Sequence, residues 1–314
     1  MTPSAVILEP ITIIPEMIAA GTSVPEVDTS AGEVAWLQST PYAGSEENVV
    51  HAGVRWASIA PSTGVVPGTD ASKWRRQGPS NRMAPFDYMN STAAQSSGEL
   101  KYVLRPGFYS GMRLSGLVGE RLEVTQYERV GGVLQVVEQW SGDMYEQARG
   151  LFEYLYMPLR QISQKLWLEW PLVNEAELHI RITASNGGRC AVGMITLGFW
   201  ETLLGAKPEF GGVEYGAESE IKSYTTVEDN EDGTWDIVPR LGVANNISCT
   251  VIIDAEQANA AHELLQRVSG KPVAFIASGL PRYDYLNTFA ILSARVSPTS
   301  YGMAQLRITG KGSI

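Results

Sequence analysis

The chain has 314 residues, enough for two or three domains that each bury a core. Hydrophobic residues make up 44% and charged residues 18%, a globular composition that excludes a disordered chain. A formal net charge of −10 argues against sequence-independent binding to nucleic-acid phosphates, and the one basic cluster, Lys73-Trp74-Arg75-Arg76, reads as a solvated turn or a salt-bridged face.

The first apolar run, Ala5 to Pro15, is interrupted by Glu9 and Pro10 and has no basic residue before it. It does not read as a secretory leader, and it falls short of the ~20 apolar residues of a membrane span, so no membrane insertion is expected. Residues 1–20 are predicted to form an N-terminal arm. Its Pro-bounded Ile11-Thr12-Ile13-Ile14 suits an edge strand or a segment laid on a neighbour.

Gly and Pro are spread over the whole length with short apolar runs between them, the pattern of a mainly β chain. Residues 21–80 form a small aromatic-rich β module in which turn signals separate Trp36, Tyr42, Trp56 and Trp74. So short a segment buries little core, and its aromatics must supply most of the packing. If exposed, the same four rings could stack on sugars. They are therefore both the candidate carbohydrate-binding residues and the candidate mini-core, with the packing reading favoured.

Residues 81–210 read as an antiparallel β-sandwich. Strands are predicted at Leu100–Leu104, Arg121–Tyr127, Val133–Val137 and Glu177–Thr183. Gly131-Gly132 is a turn between two of them, and Asn186-Gly187-Gly188 is predicted to be a hairpin into Cys190–Leu197. Leu151–Leu159 is aromatic-rich and fits strand or helix. Residues 211–314 read as an α+β domain with one helix on an antiparallel sheet. Asp254 and Gln257 form a capping-box-like pair before an apolar stripe of Ala258, Ala261, Leu264, Leu265 and Val268, and Gly270 and Pro272 stop the helix. Strands are expected at 235–238, 248–253, 273–277, 289–296 and 304–308.

The search for chemistry is negative. His51, His179 and His262 lack metal-ligand spacing, and Cys190 and Cys249 sit apart in apolar runs as expected for buried thiols. The acidic run Glu228 to Gly233 departs from calcium-loop spacing and reads as a hairpin tip at Asn230 to Gly233. No phosphate-binding glycine loop occurs. The expectation is a protein without catalytic residues, metal or cofactor.

Two resemblances add to this. Ala35 to Tyr42, Val49 to Trp56, Gly64 to Pro67 and Trp74 to Gly78 resemble the small chitin-binding-type carbohydrate modules, differing by a lost Gly-Asp around Gly44–Asn48 and by Trp56 where Tyr is usual. Trp74-x-x-x-Gly78-Pro79-Ser80-Asn81-Arg82-Met83-Ala84-Pro85-Phe86-Asp87 resembles a signature of tailed-phage virion proteins. Tyr215-Gly216, Ile221 to Tyr224 and Asp232 to Arg240 follow the rest of that pattern loosely. The resemblance implies a virion-located structural component of the tail tip, baseplate or neck. It implies assembly with other tail proteins and as a homo-oligomer, and a role assisting host adsorption. Two alternatives are a glycan-binding adsorption protein that contacts host surface polysaccharide and a virion-associated glycan-degrading enzyme.

Overall fold

The computed structural model describes residues 4–29, 32–89, 91–146, 148, 150–205, 211–229, 234–238 and 243–313. The protein is mainly β, with a curled antiparallel sheet and, among the described residues, one substantial helix. It forms two compact units, residues 1–11 with 197–314 and residues 12–196.

In the first unit the N-terminal run is no arm. Ser4–Pro10 is an interior strand, antiparallel to Met194–Thr202 on one side and to Pro272–Ser278 on the other. Ala5, Val6, Ile7 and Leu8 are all buried, so the run that resembled a detached segment is apolar because side chains on both of its faces are buried. The predicted strand at Ile11–Ile14 is not formed, and the chain turns into a short 3-10 helix at Pro15–Met17. The sheet continues through Thr288–Pro298, Met303–Gly312 and Val243–Asp254, and Val243–Asp254 also pairs with Gly212–Val213 and Glu218–Ser223.

Ala258–Arg267 is the expected helix, and Ala261, Leu264, Leu265 and Val268 enter one core with Ile7, Val251, Phe275 and Leu306. The expected capping box is not made. Asp254 belongs to the preceding strand, where it pairs with Met303, and a 3-10 turn at Ala255–Gln257 leads into the helix with no side-chain cap. Past the helix Gly270 has φ +76°, a left-handed conformation that favours glycine, before Pro272 opens the next strand. Arg267 in the last turn binds Glu201 and donates from Nε to Glu9 at 2.8 Å, fastening the helix end to the sheet. Thr226–Asp229 and Trp235–Val238 pair as a hairpin, whose expected tip at Asn230 to Gly233 lies outside the described residues.

In the second unit a four-stranded antiparallel sheet runs in the order Val133–Asp143, Arg121–Val130, Ala176–Thr183, Glu99–Leu104. Gly131 and Gly132, both at positive φ, make the turn between its first two strands. With the pairs Gly111–Ser115 with Gln164–Trp167 and Ala94–Ser97 with Arg189–Val192, it gives a β-sandwich-like body. The turn at Asn186 is not a hairpin: Arg189–Val192 pairs with Ala94–Ser97, so the turn hands the chain from one sheet to another. The aromatic module, expected at 21–80 as a separate domain, is part of this unit. It contains a four-stranded sheet of Val34–Ala35, Asn48–His51, Val54–Ser58 and Trp74–Pro79.

Cys190 and Cys249 are both free and buried. Burial pushes the Cys249 thiol up to about 12, so the reactive thiolate is scarce in the fold. Neither thiol should react with a disulfide reagent at mildly alkaline pH until denaturant is added. Fast labelling of the native protein would contradict this packing.

Candidate functional site

The four aromatics singled out in the sequence divide by burial. Tyr42 and Trp74 are buried with Val49, and their rings meet edge to face at 5.1 Å. Trp74 donates its indole N–H to the Val65 carbonyl at 3.0 Å, and the Tyr42 hydroxyl accepts from the Leu37 N–H at 2.9 Å. Trp36 and Trp56 are half-buried against this core, and Trp36 also lies 4.9 Å from the His51 ring. The rings are first of all what the module folds around. The basic cluster beside them is a strand in which Arg75 pairs with Glu46 at 2.6 Å.

The residues of the Trp74-to-Asp87 stretch have structural partners. Asn81 exchanges hydrogen bonds with the Gln95 backbone, Arg82 donates to the Val24 carbonyl at 2.8 Å, and the Arg82 carbonyl accepts from the Tyr102 hydroxyl at 2.9 Å. Phe86 packs edge-on against Tyr102, and Asp87 accepts from the Met89 N–H and the Thr92 hydroxyl. The signature is a joint that carries the chain from the module strand Trp74–Pro79 toward the strands beyond.

One charged cluster was invisible in the sequence. Glu177 is 7% exposed; its Oε2 accepts from Arg105 and Arg129 at 2.9 Å each, and its Oε1 lies 3.0 Å from His179 Nε2. Burial raises the carboxyl's pKa, but the three donors outweigh it and hold the group at about 2. The Tyr127 ring lies 4.6 Å from the His179 ring. Both carboxylate oxygens are taken up by partners, so the cluster is an ionic clamp across neighbouring strands. Its partners lie 48 and 72 positions away in sequence, a separation no local pattern reports. Among the described residues no group of three or more His, Cys, Asp or Glu could hold a metal ion.

The most unusual surface is the excursion between Val133–Asp143 and Gln164–Trp167. Tyr145 bridges Gln161, and Met144, Glu146, Arg160 and Ile162 complete a short two-stranded stem. At its tip the Leu151–Tyr156 stretch is a helix of six residues with no buried residue. Leu151, Phe152, Tyr154, Leu155, Tyr156 and Leu159 are each at least 56% exposed. Helices this short are marginal in water by themselves, and a contiguous apolar surface of this kind marks an interaction site.

The strand leading into this arm is also bare. Residues 17–23 cover the outer edge of Glu99–Leu104 through bonds such as Ala19 N–H to the Val103 carbonyl at 2.8 Å. At the opposite end of the sheet Val133–Asp143 pairs, among the described residues, with Arg121–Val130 alone, and Val133, Val136 and Val137 are exposed. The edge carries Glu138 and Asp143 but is apolar at its start, and an unpaired edge is a template for another strand.

No protein-family model, curated protein or solved structure matches the chain.

Proposed function

We propose that this protein is a structural component of a tailed-phage virion, in the tail tip or baseplate, that assembles through the arm at residues 144–162. The role is non-enzymatic, with tail proteins and further copies of this chain as partners. The observation that carries the reading is the arm itself, a two-stranded stem whose tip exposes Leu151, Phe152, Tyr154, Leu155, Tyr156 and Leu159 beside a single acidic residue, Glu153. The bare edge of Val133–Asp143 supports self-association, because a neighbouring copy can extend the ladder while its apolar surface receives the helix. The likeness of Trp74 to Asp87 to virion proteins supports the location.

The test compares the full chain with a variant in which residues 148–159 are replaced by a short Gly-Ser turn on the same stem. Light scattering should find an oligomer for the full chain and a monomer for the variant, and the unfolding midpoints should converge as the full chain is diluted to monomer, because no residue of the removed helix is buried in its own chain. A monomeric full chain, or a variant that still assembles, would overturn the assembly reading. Labelling the protein in imaged phage particles tests the location, and its absence from purified virions would refute that part.

A further inference from the structure

A second surface of the 12–196 unit stands apart from the arm tip and carries different chemistry. Glu138, Trp140, Trp167, Glu169, Trp170 and Pro171 line an open cavity of about 470 Å³, within the range of small-ligand sites. Glu138 and Trp140 stand on the strand Val133–Asp143, and the other four lining positions come from the end of Gln164–Trp167 and the residues that follow. The Trp140 and Trp167 rings meet edge to face at 5.3 Å, and Trp167 and Trp170 at 5.8 Å. Trp167 and Trp170 are buried, so two rings of the set are fixed by the core while Trp140 keeps an exposed part.

The site is held in shape from behind. Gly142 lies two residues beyond Trp140, and a Cβ there would stand 2.8 Å from the indole Cη2 and Cζ2, so the missing side chain lets the ring lie down along its own strand. Gln126 faces Glu138 in the ladder, is fully buried, and donates to the Pro171 carbonyl at 3.0 Å, which pins the other wall. Among the described residues the Gln126 Oε1 has no hydrogen-bond partner. Lys165 places its ammonium 4.7 Å from the Trp140 centroid and 6.0 Å from that of Trp167.

This combination selects its guest by charge. A cationic guest would compete with the Lys165 ammonium already on the Trp140 face. An anion would meet the Glu138 and Glu169 carboxylates. A wholly apolar guest would strip water from those carboxylates and return no hydrogen bond. A neutral polyhydroxylated ring satisfies every wall. Its C–H face lies on the indole surface that Lys165 leaves open, and its hydroxyls donate to Glu138 and Glu169. We infer that the Trp140, Trp167 and Trp170 cavity binds a neutral pyranose unit of a glycan chain.

The probes are N-acetylchitotetraose, maltotetraose and laminaritetraose, with tetramethylammonium and inorganic phosphate as charged controls. Binding to the full chain is read by titration calorimetry and by tryptophan emission. One saccharide should bind saturably with a change in emission. Trp140→Ala and Glu169→Gln should each weaken it about tenfold or more at an unchanged unfolding midpoint, the loss expected for a stacking face or a charge-assisted hydrogen bond. Trp235→Phe, at an exposed ring of the Thr226–Asp229 and Trp235–Val238 pair, should leave it unaltered. If none of the three saccharides binds, if only a charged control binds, or if affinity survives both cavity variants, the inference is wrong. The arm variant with residues 148–159 replaced should bind as the full chain does, so loss of assembly and loss of sugar binding are separable results.

Discussion

Deleting residues 1–11 should unfold the 197–314 part of the chain while leaving the 12–196 part folded. The deleted segment contains the interior strand Ser4–Pro10, and its loss strips hydrogen-bonding partners from both Met194–Thr202 and Pro272–Ser278. Val6, Ile7 and Leu8 are buried, and at ~1.5–3 kcal/mol for each such side chain the lost burial alone is about 5–9 kcal/mol. That equals the whole stability of many domains, about 5–15 kcal/mol. Hydrogen exchange read by mass spectrometry should show protection lost across 197–314 and kept across the strands between 99 and 183. A synthetic peptide of residues 1–12 added in excess should restore protection, because the strand makes its contacts without needing a covalent link at its start. Retained protection in the deletion variant would show that the strand is dispensable. A milder lesion at the same place is Gly198→Ala. Gly198 pairs with Pro10, and a Cβ there would collide with the Glu9 carbonyl oxygen, a backbone atom that cannot swing aside. Its cost should be about 1–3 kcal/mol, as for overpacking elsewhere.

The same strand shows where sequence reasoning reaches its limit. The Ala5–Leu8 run is legible as apolar, but nothing local says that its ladder partners begin at residues 202 and 278. Its position at the terminus suggested a loose arm, whereas burial on both faces makes it central. The strands Arg121–Val130, Val133–Asp143 and Ala176–Thr183 were legible because alternation and the Gly131-Gly132 turn are local signals. So was the helix Ala258–Arg267, whose stripe repeats within ten residues. The capping box failed because Asp254 was already committed to its strand. Aromatic residues were visible throughout, but a tryptophan on a core face and one on a cavity wall read alike in sequence. Trp36, Tyr42, Trp56 and Trp74 drew attention by resemblance and are found around a core. Trp140, Trp167 and Trp170 drew none, because their grouping needs two strands and the residues after them to fold together. The arm was legible only as an ambiguous apolar stretch at Leu151–Leu159, since exposure is a property of the fold and not of the residues.

Glu177→Gln should cost about 2 kcal/mol at neutral pH, below the roughly 3–5 kcal/mol of a fully buried broken pair because both guanidiniums keep contact with water. The amide is nearly isosteric, so the loss is of charge facing Arg105, Arg129 and His179 rather than of volume. The effect has a defined pH window. The carboxyl titrates at about 2 in the folded protein against an ordinary 4.5, so as pH falls through this interval the unfolded chain takes up a proton that the folded chain refuses. The clamp's contribution is therefore complete above 4.5 and is lost as pH falls toward 2. Denaturant unfolding of the 12–196 unit across this range should find wild type and variant converging as acid is added. A constant difference between them would show that the side chain acts by packing and not by charge. The clamp also reaches the proposed assembly surface. Arg129, one of its two guanidiniums, donates to the Gly132 carbonyl in the turn that opens Val133–Asp143. Protonating Glu177 should release that arginine from the carboxylate and so weaken its hold on the turn that opens the edge strand. Self-association should therefore weaken over the same interval, and in the Glu177→Gln variant it should be weaker from the start and respond less to acid.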